Sequence, residues 1–172
     1  MSLFVVDVES DGGLLGHHSM VCFGVVKLTP ELNTTFYGKV KPISEHYDKN
    51  ALAVSGFSRE THETFDDPQK VMEDFAKWLR ENSVSKPVLI SDNNGYDSSW
   101  INYYFLRFTG SNPFGWSSRR IGDLYCGAEH DLYYKWKQHR ISAHTHNPVD
   151  DAMGNAEALL HLFKKHNIKL PK

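Results

Sequence analysis

Three extended stretches come before any helical pattern begins, and that order constrains the fold more than any other feature of the chain. Leu3–Glu9 is a short apolar run, Met20–Leu28 is a second, and Thr35–Lys41 alternates as a third strand. Residues 43–66 are polar and mixed, and read as a long loop with a short helical piece. A helix follows. Asp67 is a good N-cap, Pro68 suits the first helical position, and Val71, Phe75, Trp78 and Leu79 recur at helical spacing. Pro87–Ser91 is a short buried strand, and Asp97–Phe108 is helical, with Trp100, Ile101, Tyr104 and Phe105 on one face. Ile121–Cys126 is ambiguous between strand and turn. The last helix runs from about Pro148 to His166, with Asn147 as its cap and Ala152, Ala156, Leu159, Leu160 and Phe163 as its core stripe. Strands first, then alternation of helix and strand, predicts the α/β class: a mixed sheet flanked by helices.

At 172 residues the chain suits one domain, spanning residues 1–172. No apolar run approaches the roughly 18 residues of a membrane span, so no membrane partner is expected. The N-terminus has no basic region ahead of its apolar stretch and meets an acid at Asp7, which reads as a first strand and not a signal peptide. Cys22 and Cys126 fit no zinc spacing. Cys22 lies in an apolar run as a buried free thiol, so a reducing cytoplasm is the simplest setting. The net charge of −2 argues against a protein that coats long nucleic acid, but not against an enzyme that grips a few terminal nucleotides.

Three short segments carry the chemistry. In Phe4-Val5-Val6-Asp7-Val8-Glu9, strand geometry puts Asp7 and Glu9 on one face at the end of an apolar strand. Two close carboxylates repel and lose solvation, and a divalent cation compensates both; two solvated acids at a strand end are the bland alternative. Ser91-Asp92-Asn93-Asn94-Gly95-Tyr96-Asp97 lies between a buried strand and a helix, where open α/β sheets place ligands. There Asp92 reads as a turn residue, and Asp97 as either an N-cap or a metal ligand. His144-Thr145-His146-Asn147-Pro148-Val149-Asp150-Asp151 ends in a helix start fixed by Pro148. His146 falls in the preceding loop, and both acids fall in the first turn, where the helix dipole favours them. Capping accounts for Asp150, yet helical phase alone does not choose between Asp150 and Asp151.

Together the segments resemble the motifs of the DEDDh exonucleases, the family of RNase T, oligoribonuclease and the proofreading subunits of bacterial polymerases. Asp7 and Glu9 match the first motif, Tyr96 and Asp97 the end of the second, and His146 with Asp151 the third. The order holds from residue 4 to about 163. The second motif departs from the common His-Asn start with Asp92-Asn93-Asn94-Gly95, a variant closer to a small exoribonuclease branch of bacteria and phages. The resemblance implies an RNase H-like fold and 3′→5′ hydrolysis of single-stranded ends, RNA before DNA. It implies Asp7, Glu9 and Asp151 on one cation, Asp7 and Asp97 on a second, and His146 as general base. Two cations roughly 3.5–4 Å apart activate the water and neutralise the phosphate, and all-oxygen ligands favour Mg²⁺ or Mn²⁺. Relatives of this size are often homodimers, so the resemblance implies a homodimer here too.

Substrate contacts are expected from Ser10 and Gly12 after the first strand, from Tyr96, and from Trp136 and Arg140 in a stretch that interleaves bases and aromatics. A plain turn and an amphipathic helix compete for those segments. His17 and His18 read as a solvated loop. A DNA exonuclease, a catalytically silent nucleic-acid-binding domain and a zinc hydrolase are the competing functions. Missing zinc-ligand spacing opposes the last.

Overall fold

The computed structural model describes residues 1–170. Its five-stranded sheet is built from β1 (Ser2–Ser10), β2 (Met20–Lys27), β3 (Thr35–Lys39), β4 (Pro87–Ser91) and β5 (Ser118–Arg120), in the order β3-β2-β1-β4-β5. The first three strands are an antiparallel meander. β4 then joins β1 in parallel, and β5 joins β4 in parallel. Six α-helices accompany it: α1 (Lys49–Val54), α2 (Arg59–Glu63), α3 (Pro68–Glu81), α4 (Asn94–Thr109), α5 (Ile121–Glu129) and α6 (Pro148–Lys165).

Side chains alternate across β1, and this divides the core. Phe4, Val6 and Val8 pack with Met72 and Phe75 of α3 and Trp100, Ile101 and Tyr104 of α4. Leu3 and Val5 pack on the opposite face with Ile121, Tyr125, Ala152, Ala156 and Leu159 from α5 and α6. Both faces of the sheet are therefore covered, which is why β1 and β2 are nearly continuously apolar. Asp7 and Glu9 continue the Leu3–Val5 face, toward α6.

Two closures matter for the site. β4 pairs with β1 from Ser2↔Pro87 as far as Val5↔Ile90, so the backbone of Asp7–Glu9 runs past the end of β4 with that edge free. On the other side Gly24 of β2 lies opposite Asp7. A Cβ there would stand 2.2 Å from the Pro148 carbonyl carbon, so glycine lets the start of α6 rest directly on the sheet.

The expected strands and the helix at Pro68 are present. Asp67 accepts from the Gln69 amide at 3.0 Å, and Asn147 accepts from the Val149 amide at 3.0 Å. Residues 43–66 hold two short helices where one helical piece was expected. Ile121–Cys126 is helical; the strand is Ser118–Arg120, just before it, too short and too charged to announce itself. Helix α4 starts at Asn94 and not at Asp97, so Asp97 lies inside its first turn and is no N-cap. Among the described residues no helix is long and apolar enough to cross a membrane.

Candidate active site

The free edge of β1 is where the acids gather. Asp7 and Glu9 leave the strand on one face, and α6, seated on Gly24, delivers Asp151 to the same place. Ligand oxygens of Asp7, Glu9 and Asp151 all lie within 4.8 Å of one another. Asp97 enters from the other layer. Its carboxylate takes hydrogen bonds from the Ser91 side chain and the Val8 backbone, which the end of β4 leaves available. Asp97 is only 2% exposed, and its Oδ2 has no hydrogen-bond partner.

This is an arrangement that protein atoms alone do not satisfy. Burial, then the charges of Asp97, Glu9 and Asp151, push the Asp7 carboxyl well above the usual carboxylate range. Burial and Asp151 raise Glu9 to about 7, and burial raises Asp97 to about 7 against its hydrogen bonds. A cluster of hard oxygen donors, one of them buried and orphaned, fits divalent cations of the Mg²⁺ or Mn²⁺ class. Asp151 is organised differently. Its Oδ1 accepts from the Thr145 amide at 3.0 Å and Arg140 Nη2 at 3.2 Å, and its Oδ2 accepts from the His146 amide at 3.0 Å. The carboxylate thus anchors the segment that carries the histidines while remaining beside Asp7.

His146 sits at φ 61°, in the left-handed region, with Nδ1 3.9 Å from Glu9 Oε1. Its side chain is half-exposed. His144 reaches Asp151 Oδ2 with Nδ1 at 2.8 Å. Asp150 is exposed and accepts from the Thr145 hydroxyl at 3.0 Å; the cap itself is Asn147, so Asp150 braces the loop and does not cap the helix. The carboxylates open into a cleft of about 630 Å³ whose walls include Tyr96, Arg120 and Val54.

The expected substrate contacts divide. Tyr96 is 37% exposed and lines the cleft, with its hydroxyl bonded to Ser10 Oγ. Ser10 and Gly12 are buried, and a Cβ on Gly12 would stand 2.4 Å from the His18 ring, so the turn's small residues serve its own packing. Trp136 is 5% exposed and belongs to the core with Tyr125, which removes it from base stacking; burial of one aromatic in a mixed stretch left no sign in the sequence. Arg140 is spent on Asp151. Asp92 is not a simple turn residue: it pairs with Lys137 Nζ at 2.6 Å. Two features went unread. Glu157 accepts from the Ile141 and Ser142 amides at 2.9 and 2.7 Å, fastening the histidine segment from below. Asp11, fully buried, binds Arg59 at 3.1 Å and so ties the turn after β1 to α2. Neither has a spacing signature, because both partners lie far away in the chain.

The fold and the acids together describe a nuclease of the RNase H-like type, and comparison with known proteins bears on this directly. The 3′-5′ DNA exonuclease Cap18 of Escherichia coli is 35% identical over 160 residues, covering 90% of this chain and 82% of that protein. Among solved structures, the nuclease domain of 3′hExo, a DEDDh family member bound to rAMP, superposes with a TM-score of 0.78 at 15% identity, over 99% of this chain and 96% of that one. E. coli Exonuclease I in complex with a dT13 oligonucleotide superposes with a TM-score of 0.74 at 16% identity, over 96% of this chain and 41% of that one. No protein-family model matches. The chain belongs to the DEDDh 3′→5′ exonucleases.

Proposed function

We propose that the protein removes nucleotides from the 3′ ends of single-stranded nucleic acid, using two divalent cations and the side chains of Asp7, Glu9, Asp97, Asp151 and His146. The observation that carries this reading is the convergence of Asp7, Glu9 and Asp151 oxygens within 4.8 Å at the end of β1. Asp7, Glu9 and Asp151 would hold one cation; Asp7, with the orphaned Oδ2 of Asp97, would serve the other. When bound, Mg²⁺ or Mn²⁺ supplies an acidified water and neutralises charge on the phosphate. His146 takes the proton of the attacking water. The half-exposed ring lines the cleft beside Glu9. Arg140 and the amides of Thr145 and His146 keep Asp151 oriented. Tyr96 lines the space for the terminal sugar or base. The cleft has room for a nucleotide.

The preference for RNA expected from the variant second motif has no contact behind it. Cap18 is a DNA exonuclease and matches 90% of this chain, so we take DNA as the substrate and RNA as the second reading. The unpaired Cys22 and Cys126 suit a reducing compartment. Matched single-stranded DNA and RNA, labelled internally and blocked at either end, test the proposal. Degradation in Mg²⁺ or Mn²⁺ should stop with a 3′ block or a chelator and continue with a 5′ block. Cleavage of a circular strand would overturn the exonucleolytic reading.

A further inference from the structure

One histidine in the cleft is unused by this mechanism. His144 sits two residues before His146 and reaches Asp151 Oδ2 with Nδ1 at 2.8 Å. Its ring centroid is 4.4 Å from that of His146. One ring nitrogen from each histidine and one Asp151 oxygen all lie within 4.8 Å of one another. Asp151 thus belongs to two donor sets. The set with Asp7 and Glu9 is all oxygen. The set with His144 and His146 is two nitrogens and one oxygen, which is zinc chemistry and not magnesium chemistry.

We propose that His144, His146 and Asp151 form a zinc site that switches the enzyme off. Zinc bonds of roughly 2.0–2.2 Å separate donors on one tetrahedral ion by about 3.4 Å. His144 and Asp151 are already inside that separation. His146 closes the remaining distance by side-chain rotation, with the backbone leading into it pinned to Asp151 by the Thr145 and His146 amides. Both imidazoles are about half exposed, so zinc enters from solvent, and the fourth position is left to water. Occupation has two consequences. A ring nitrogen of His146 bonded to zinc accepts no proton. Asp151, with an oxygen bonded to zinc, has that oxygen no longer to give to the carboxylate set. Sequence spacing hid the site: His-x-His with an acid five residues on is not a zinc signature until the start of α6 folds Asp151 back under the loop.

Zinc binding requires only the geometry, whereas inhibition rests on the roles proposed above for His146 and Asp151. Metal-stripped protein, titrated with Zn²⁺ against a chromophoric indicator in the absence of substrate, should bind zinc through this site. His144→Ala should weaken that binding by at least roughly tenfold, the lower end of what even an outer partner of a metal is worth. The same variant should cleave in Mg²⁺ at nearly the wild-type rate. In saturating Mg²⁺, zinc should inhibit the wild type, and His144→Ala should need at least tenfold more. Co²⁺ in place of zinc should give tetrahedral visible absorption in the wild type and lose it in His144→Ala. Equal zinc affinity in the two proteins would overturn the site, and zinc bound at full affinity without loss of rate would overturn the switch. Since the titration needs no activity, a protein inert in Mg²⁺ would count against the function proposed above and leave the binding result intact.

Discussion

Asp7 concentrates what is unusual about this protein, because its position is costly to the fold on its own. Its carboxyl is raised well above the ordinary range by burial and by three neighbouring acids, with Glu9 and Asp97 both near 7. A carboxyl raised on folding contributes stability that is present below its unfolded value near 4 and is lost as pH rises through the folded value. The metal-free protein therefore loses stability as pH rises through about 7, where Glu9 and Asp97 ionise beside Asp7. Asp7→Asn should abolish cleavage and yet raise the metal-free melting temperature, by more at pH 8 than at pH 5. A variant that melts lower at pH 8 would show that Asp7 is held by the fold and not strained by it. In the wild type, the upward shift in melting temperature caused by Mn²⁺ should shrink from pH 8 to pH 5.5, as protons compete for the same oxygens. His146→Ala should slow turnover by roughly 10²–10⁴-fold, the usual worth of a positioned base. Asp150→Asn removes the charge from one exposed hydrogen bond accepted from Thr145 and should cost about 1 kcal/mol or less by chemical denaturation.

Elements, and not single residues, bring the site together, and here α6 does most of the placing. Two carboxylates on one side of this helix hold the segment before it: Asp151 takes the amides of Thr145 and His146, and Glu157 takes those of Ile141 and Ser142. Glu157→Ala leaves those latter donors to water. It should lower kcat more than stability, since the histidine segment loosens while the helix remains packed. A proportional loss of folded protein and activity would argue that Glu157 only stabilises. The contrast between the two acids explains what could be read in advance. Asp151 was legible because it sits five residues from His146 in a pattern known from a family, and helical phase by itself left it tied with Asp150. Glu157 was not legible, because a carboxylate on a helix face looks solvated until the loop that covers it is known. The same limit applies to Trp136, whose burial depends on Tyr125 in another helix. The strands and α3 were legible from periodicity and caps. α5 was not, since Ile121–Cys126 is apolar at both strand and helix spacing and only packing on α6 decides between them.

At the scale of the whole molecule, the carboxylates meet because two layers close on one strand end from opposite faces. α4 brings Asp97 over the edge that β4 leaves free, and α6 brings Asp151 across β2. The second closure passes through Gly24, whose Cα faces the first turn of α6 so closely that a Cβ would lie 2.2 Å from Pro148 C and 2.3 Å from Val149 N. These are backbone atoms of a capped helix start, and they do not yield as the tip of a flexible side chain would. Gly24→Ala must therefore lift the N-terminus of α6 from the sheet, and Asp151 moves with it. The rest of the helix stays anchored by Ala156, Leu159 and Leu162 in the core, so the displacement is greatest where the acid is. The expected outcome is a folded protein, less stable by about 1–3 kcal/mol as for other overpacked sites, whose Mn²⁺ affinity falls although no acid has been changed. Calorimetric titration of Mn²⁺ into the variant, beside a denaturation curve, separates the two effects. Wild-type Mn²⁺ affinity in a destabilised Gly24→Ala protein would mean that the distance from α6 to β1 does not govern the site.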